Sequence, residues 1–376
     1  MRILELLSSG RWSGPAEPMA SVARELLRLG HSVELGVETT AGHTLARELR
    51  EQGFAVRDDL VLGPKAGGWA FLRDLRRLVA ISRDFDVLHA NFSHDHLLAL
   101  LALRRRGARR LVRTVHSSRS LEPRALQGYG HRHTDGLVAV CEAHARLIES
   151  RFRVPPERIL ATRGAVDADV FTPDGPDLRA ELGIEPGTPV AGIVSRIKAG
   201  RRIEELVDAF RAVADRLPDA RLVLVGRGEG LEEIRVRVAH RGLQEHVIFA
   251  GYRTGAALSA AYRTFDVKVL LAEGNDGTCR ALLEGMASGR PGVAYRLGAP
   301  AEAVVDGVTG LLVEPGEVGG LADALVELLG APDRARAMGA EARERMRTLF
   351  TERARGEAIA AFLGRVLALP PAGGRA

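Results

Sequence analysis

The sequence predicts an α/β protein of two domains, each a mostly parallel sheet with helices on its faces. Three observations carry this. At 376 residues the chain is longer than one hydrophobic core usually grows. Short apolar runs alternate with helical patterns along almost its whole length. Between Phe171 and Pro189 the alternation breaks into two clusters of turn formers, Thr172-Pro-Asp-Gly-Pro-Asp and Glu185-Pro-Gly-Thr-Pro, which mark a boundary.

In the first half, Ile3 to Leu7 reads as a strand, Ala16 to Leu29 as a helix closed by Gly30, and Ser32 to Val37 as a second strand. A helix near His43 to Gln52 follows, then Val56 to Leu62 and a helix over Trp69 to Ser82. Val87 to Ala90 and Leu111 to His116 continue as strands, with a helical Asp95 to Arg105 between them. Gly136 to Cys141 is a strand, Glu142 to Arg151 a helix and Ile159 to Thr162 a short strand. The alternation resumes with strand Val190 to Ser195, helix Ile203 to Arg216 and strand Ala220 to Val225. Helices Glu229 to Arg241 and Gly255 to Thr264 flank the strand Val247 to Ala250. Val267 to Leu271 is a strand entering a polar loop, Arg280 to Ser288 a helix, and Pro291 to Tyr295 and Gly310 to Val313 the last strands. Asp323 to Gly330, Pro332 to Phe350 and an arginine-rich Thr351 to Leu367 close the chain as helices. The division is therefore 1–172 and 173–350, with the helix 351–367 expected to pack back onto the first domain. Open parallel sheets bind ligands beyond the carboxyl ends of their strands, so function is sought in those loops.

Composition is that of a compact soluble protein, 46% hydrophobic and 27% charged. A net charge of +5 with 5% aromatics is not the basic, aromatic-studded stripe of a nucleic-acid binder. Cys141 and Cys279 make no disulfide framework and lack zinc-ligand spacing, so no metal site is expected. The opening Met1-Arg-Ile-Leu-Glu-Leu-Leu reads as a strand rather than a secretion signal, and no run of about 20 apolar residues occurs. A reducing cytoplasm is the expected setting.

The region richest in chemistry is Glu273-Gly-Asn-Asp-Gly-Thr-Cys-Arg-Ala-Leu-Leu-Glu. A strand enters a glycine-containing loop that opens a helix, whose free N–H groups from about Gly277 to Arg280 are suited to phosphate oxygens. A carboxylate at Glu284 is suited to two ribose hydroxyls. The plainer alternative makes Asp276 a helix cap and Glu284 a solvated side chain.

This stretch resembles the donor-binding signature of the family 4 retaining glycosyltransferases (group 1), in which two acidic residues are separated by seven others. Here the pair is Asp276 and Glu284, with aspartate where the family usually has glutamate. Val190-Ala-Gly-Ile-Val-Ser-Arg resembles the family's strand ending in Gly-Arg: Arg196 matches the arginine on the donor pyrophosphate, and Arg201 falls on the family's lysine. Ser195 and Arg202 replace the usual glycines. Gly226-Arg-Gly-Glu-Gly resembles a glycine-rich turn, Gly251-Tyr252-Arg a segment near the base, and Asp306-Gly-Val-Thr-Gly the segment after the donor motif. Arg163-Gly-Ala-Val-Asp matches a boundary motif that usually begins with asparagine. Together these span most of Val138 to Leu329.

In the first half, Gly14 matches the second glycine of the family's loop after the first strand, and His116 a histidine that contacts the transferred sugar. His89 and His94 are weaker acceptor-side candidates; their spacing lacks the carboxylates a zinc site needs.

The resemblance implies the GT-B fold, two facing Rossmann-like domains with an interdomain cleft, the first for the acceptor and the second for the nucleotide sugar. It implies a retaining, metal-independent sugar transfer with no cofactor, from a nucleotide-diphosphate sugar to a glycan, lipid-linked or small-molecule hydroxyl. Catalytic roles fall on His116, Asp276, Arg196 and Arg201, and donor contacts on Gly14, Arg196, Arg201, Gly226, Tyr252, Asp276 to Arg280 (with Gly277, Thr278 and Cys279) and Glu284. A sugar-nucleotide epimerase, a phosphorylase or a non-catalytic sugar-nucleotide binder are the alternatives. The sequence leaves open the base, the sugar, the acceptor and the oligomeric state. Trp69-Ala-Phe-Leu-Arg-Asp-Leu-Arg-Arg and the basic Arg104-Arg-Arg-Gly-Ala-Arg-Arg suit either a peripheral contact with an anionic membrane or an ordinary sheet-covering helix and a solvated turn.

Overall fold

The computed structural model describes residues 1–12, 15–40, 42–103, 109–273 and 276–373, and for 276–278 the backbone alone. The chain divides into two compact units, Met1–Arg163 with Glu352–Ala376, and Gly164–Gly274 with Thr278–Thr351.

The first unit runs β1 (Arg2–Leu7), α1 (Ala16–Arg28), β2 (Ser32–Val37), α2 (Leu45–Glu51), α3 (Gly68–Ile81) and β3 (Val87–Ala90). It continues with α4 (Ser93–Leu103), β4 (Arg110–Val115), α5 (Ala125–Arg132), β5 (Gly136–Ala139), α6 (Glu142–Phe152) and β6 (Ile159–Ala161). The second unit runs β7 (Val190–Val194), α7 (Ile203–Arg216), β8 (Arg221–Val225), α8 (Leu231–His240), β9 (Val247–Gly251), α9 (Gly255–Thr264) and β10 (Val267–Leu270). Then come α10 (Asp276–Ala287), β11 (Gly292–Tyr295), α11 (Gly298–Ala303), β12 (Gly310–Val313), α12 (Val318–Leu329) and α13 (Pro332–Leu349). The last helix, α14 (Glu352–Ala368), belongs to the first unit.

Each unit holds a six-stranded parallel sheet among the described residues. The orders are β2-β1-β3-β4-β5-β6 and β12-β11-β10-β7-β8-β9. In such sheets the chain leaves in opposite directions from two adjacent strands, and the crevice beyond their carboxyl ends is the habitual ligand site. The orders place that point between β1 and β3 in the first sheet and between β7 and β10 in the second.

Burial follows strand parity. Ile3, Leu7, Val87, Val112 and Val138 face α1 and α14, while Leu4, Leu6, Leu88 and Leu111 face α3 and α4. Ile359, Phe362, Leu363 and Val366 form the i, i+3, i+4, i+7 stripe that seats α14 on this sheet. Gly136 clears the way, since a Cβ there would lie 2.8 Å from Val366 and 3.0 Å from the Phe362 ring.

Several segments differ from the sequence expectation, among them α12, which begins at Val318, five residues before the expected Asp323. Val56 to Leu62 makes a single bridge, Val56 to Leu35, and no strand of the sheet. Arg57 turns its side chain to Asp59 and Glu34, the buried Asp74 takes the N–H groups of Val61 (3.0 Å) and Leu62 (2.8 Å), and the backbone meets the β2 side only at the ends, through the Arg57 N–H to the Leu35 carbonyl (2.9 Å) and the Thr39 N–H to the Val61 carbonyl (3.0 Å). Helices α5 and α11 carry glycine and proline that hide them from a propensity reading. Helix α10 begins at Asp276, four residues before the expected start, which makes Asp276 its first residue.

Candidate active site

At the switch point of the second sheet, β7 ends at Val194 and the chain turns through Ser195 and Arg196 toward α7. This turn is laced to the turn after β8 by the Ser195 N–H to the Val225 carbonyl and the Ile197 N–H to the Arg227 carbonyl, both 3.0 Å. A Cβ on Gly226 would lie 1.9 Å from the Ser195 oxygen, and one on Gly228 2.0 Å from the Ile197 oxygen. The glycine-rich turn therefore lets two loops touch backbone to backbone. Gly226, predicted as a donor contact, is placed here as the residue that seats the arginine loop.

Arg196 is exposed, with a guanidinium nitrogen 3.7 Å from Glu229. Arg201 is half-buried, and its Nε has no hydrogen-bond partner among the described residues. Burial, and secondly the like charge of Arg196, hold its pKa below the usual arginine value. Two cations thus stand together beyond the carboxyl end of β7, an arrangement that an anion relieves. Arg202 caps α7 with a left-handed backbone, φ +56°, which explains why glycine suits this position. Its side chain compensates by pairing with Glu205 (2.9 Å) and lying over the Tyr295 ring. Tyr252, half-exposed, stacks under the Arg227 guanidinium at 4.3 Å.

On α10, Glu284 lies in the third turn and is only 6% exposed. The Tyr262 hydroxyl donates to its Oε2 at 2.6 Å, and Arg280 Nε lies 3.3 Å from its Oε1. The solvated alternative for Glu284 is thereby excluded. Beneath this pair, Lys268 of β10 is fully buried, donates to the Val269 carbonyl at 2.9 Å and lies 5.9 Å from the Tyr262 ring centre. Cys279 is buried. The side chains of Asp276 and Thr278, and the backbone of Gly14, lie outside the described residues, as do Arg104 to Arg106. Gly277 is described only as part of the first turn of α10.

In the first unit, His116 immediately follows β4 and is buried beside the end of β3. Asn91, the residue after β3, donates through Nδ2 to Glu5 Oε2 (3.2 Å) and the Leu6 carbonyl (3.1 Å). Its Oδ1 therefore accepts, and what it accepts is the Nε2–H of His116 at 3.0 Å. The buried Asp95 fixes the turn carrying Asn91 by taking the N–H groups of Asn91 (3.1 Å) and Phe92 (2.8 Å); burial outweighs these bonds and raises its pKa to about 7. Glu5, His89, Asn91, Thr114 and His116 border a cavity of about 20 Å³, room for one water.

The three histidines separate here. His89 is 2% exposed, with Nδ1 on Glu5 Oε1 (2.7 Å) and Nε2 on the Thr114 hydroxyl (2.8 Å). Both ring nitrogens are taken, so it is a core histidine that aligns β1, β3 and β4 rather than a group offered to an acceptor. His94 is half-buried edge-on to Phe71 at 5.8 Å, with its pKa lowered by burial. Asn91, Glu5, Tyr262 and Lys268 escape the sequence reading. The signal for Glu5 and Lys268 is a single charge inside an apolar strand. Among the described residues no group of acidic, histidine or cysteine side chains is arranged to hold a metal, and no helix is long and apolar enough to cross a membrane.

Comparison with known proteins decides the family. Residues 174–345 match the glycosyl transferases group 1, and residues 13–170 match Glycosyltransferase Family 4. The N-acetyl-alpha-D-glucosaminyl L-malate synthase of Bacillus anthracis is 31% identical over 278 residues, 71% of either chain. The chain belongs to the family 4 glycosyltransferases of group 1. A second relative, the GDP-mannose-dependent alpha-(1-6)-phosphatidylinositol monomannoside mannosyltransferase of Mycolicibacterium smegmatis, is 32% identical over 77% of this chain and 78% of that one. Among solved structures, Anabaena Alr3699/HepE in complex with UDP has a TM-score of 0.80 at 21% identity, covering 97% of this glycosyltransferase and all of that chain. The sucrose-phosphate synthase of Thermosynechococcus elongatus has a TM-score of 0.78 at 20% identity, covering 98% of this chain. The fold is accordingly the GT-B type of α/β protein.

Proposed function

We propose that this glycosyltransferase moves a sugar from a nucleoside-diphosphate donor to an acceptor hydroxyl with retention of configuration and without a metal ion. The observation that carries the reading is the pair Arg196 and Arg201, two neighbouring cations at the switch point of the second sheet. They occupy the place where a leaving diphosphate develops charge, and fixed cations there act as preorganised electrostatic catalysts. Glu284 holds the ribose hydroxyls and Asp276 the donor sugar. His116, oriented through Nε2 by Asn91, serves the transferred sugar. In the reaction the bond from the anomeric carbon to the diphosphate oxygen breaks, and the acceptor oxygen bonds to that carbon on the same face. The acceptor proton passes to the departing phosphate, so no protein nucleophile is consumed.

Calorimetric titration of UDP-, GDP- and ADP-sugars in chelator tests this. One nucleotide class is expected to bind, and Glu284→Ala to weaken it about 10- to 100-fold, the range for losing hydrogen bonds to a charged group. Absence of binding by all three, or undiminished binding by the variant, rejects the assignment.

A lipid-linked acceptor is the second part of the proposal. Trp69, 85% exposed, and Leu72, 46% exposed, project from the start of α3 beside the exposed Arg73 and Arg76, an apolar and basic pairing suited to an anionic bilayer. Sedimentation with phosphatidylglycerol vesicles is expected to fall several-fold for Trp69→Ala. Equal sedimentation of both proteins removes the membrane contact.

A further inference from the structure

The carboxylate of Glu284 is held by a hydroxyl from outside the stretch Asp276 to Glu284. Tyr262 closes α9, outside the donor motif, and its side chain is completely buried. Its ring is wedged edge-on between Phe171, at 5.7 Å and 82°, and Phe265, at 6.0 Å and 83°. From this fixed position its hydroxyl donates to Glu284 Oε2 at 2.6 Å. The backbone of Glu284 is fixed as well. The next residue, Gly285, sits directly on the Lys268 side chain, where a Cβ would fall 2.5 Å from Lys268 Cγ, so α10 presses onto β10 at this turn. The Tyr262 hydroxyl thus engages one carboxylate oxygen, and the Arg280 Nε lies 3.3 Å from the other.

We propose that Tyr262 is a positioning residue for the donor: its hydroxyl sets the rotation of the Glu284 carboxylate so that both oxygens meet the two ribose hydroxyls together. The inference rests on the assignment of Glu284 to the ribose. A long acidic side chain on a helix has several rotamers, and a bidentate contact uses one of them. A rigid aromatic donor on the buried side removes that freedom before the nucleotide arrives. The consequence is a specificity device, since Tyr262 strengthens only the part of binding that runs through ribose hydroxyls.

The test titrates UDP, GDP and ADP and their 2′-deoxy counterparts into the wild type, Tyr262→Phe, Glu284→Gln and the double variant. Tyr262→Phe is expected to weaken the bound ribonucleotide about five- to twentyfold, leave its 2′-deoxy counterpart within twofold, and have no further effect in the Glu284→Gln background. Donor KM rises by the same factor while kcat stays within twofold, a split that general loss of structure does not give. Placing 4-aminophenylalanine at position 262 restores a donor on the same ring and is expected to recover most of the affinity, which keeps the test decisive if the phenylalanine variant folds poorly. Equal weakening of ribo- and 2′-deoxynucleotides, or additive effects in the double variant, overturns the role of Tyr262 while leaving Glu284 in place. Undiminished binding by Glu284→Gln overturns the ribose assignment and this inference with it.

Discussion

Arg201→Ala is expected to lower kcat by about 10²–10³, with the folded protein as stable as the wild type or slightly more so. The first half follows from position. A half-buried guanidinium beyond the carboxyl end of β7 interacts with an anion through less water than an exposed one, and loss of one preorganised charge stabiliser usually costs about 3–4 kcal/mol in the transition state. The second half follows from the same burial. Desolvation and the charge of Arg196 both work against the ionised Arg201 in the unliganded protein, so its removal relieves strain. Arg196 is exposed and already near Glu229, so Arg196→Ala is expected to lose less, about tenfold, because water replaces part of its contribution. Arg201→Lys keeps the charge without the fork and belongs between the two. Steady-state kinetics with a thermal melt on each variant decides the matter. A kcat within threefold of wild type for Arg201→Ala places the leaving-group charge elsewhere, and a fall in melting temperature of many degrees makes the arginine structural.

How much of this was legible in the sequence depends on what kind of information each element carries. The strands and most helices are readable because a buried parallel strand needs a short apolar run and its covering helix a 3.6-residue stripe. Each is a local property of consecutive residues. Val56 to Leu62 carries three charges, Arg57, Asp58 and Asp59, in its middle and forms no strand: its backbone meets the β2 side only at its two ends, and Asp74 takes the N–H groups of Val61 and Leu62. His89 and His116 look alike in sequence, each at the end of an apolar run. They differ by a register of a few positions: His89 lies inside β3 opposite Glu5, whereas His116 has just left β4. Asn91 and Tyr262 are beyond sequence reasoning for a stronger reason. Their partners are 25 and 22 residues away, and only the sheet order makes them neighbours.

Lys268 supplies the second large effect, this time on stability. Burial pulls its pKa from the ordinary lysine value of 10.5 to about 7, against the opposing pull of Glu284. In the unfolded chain the amine stays protonated to about pH 10, so between pH 7 and 10 the unfolded state binds more protons than the folded one. Stability therefore rises with pH in that window, by up to about 1.4 kcal/mol per unit, and the penalty is fully present below pH 7. The whole shift corresponds to an energy on the order of 5 kcal/mol. Lys268→Met retains the apolar stem that packs under Gly285 and removes the amine. It is expected to raise unfolding free energy at pH 7 by a few kcal/mol, with the advantage over wild type shrinking toward zero by pH 10. The opposing possibility is a charged lysine that holds Glu284 ionised; its removal then strands a buried carboxylate, and such losses run to about 3–5 kcal/mol. Tyr262 and Arg280 remain on that carboxylate in the variant, which is why the first outcome is expected to win. Chemical denaturation of both proteins at pH 6, 8 and 10 separates the two. A variant less stable than wild type at every pH would show that the lysine is a counter-ion to the donor carboxylate, and donor affinity should then fall with it.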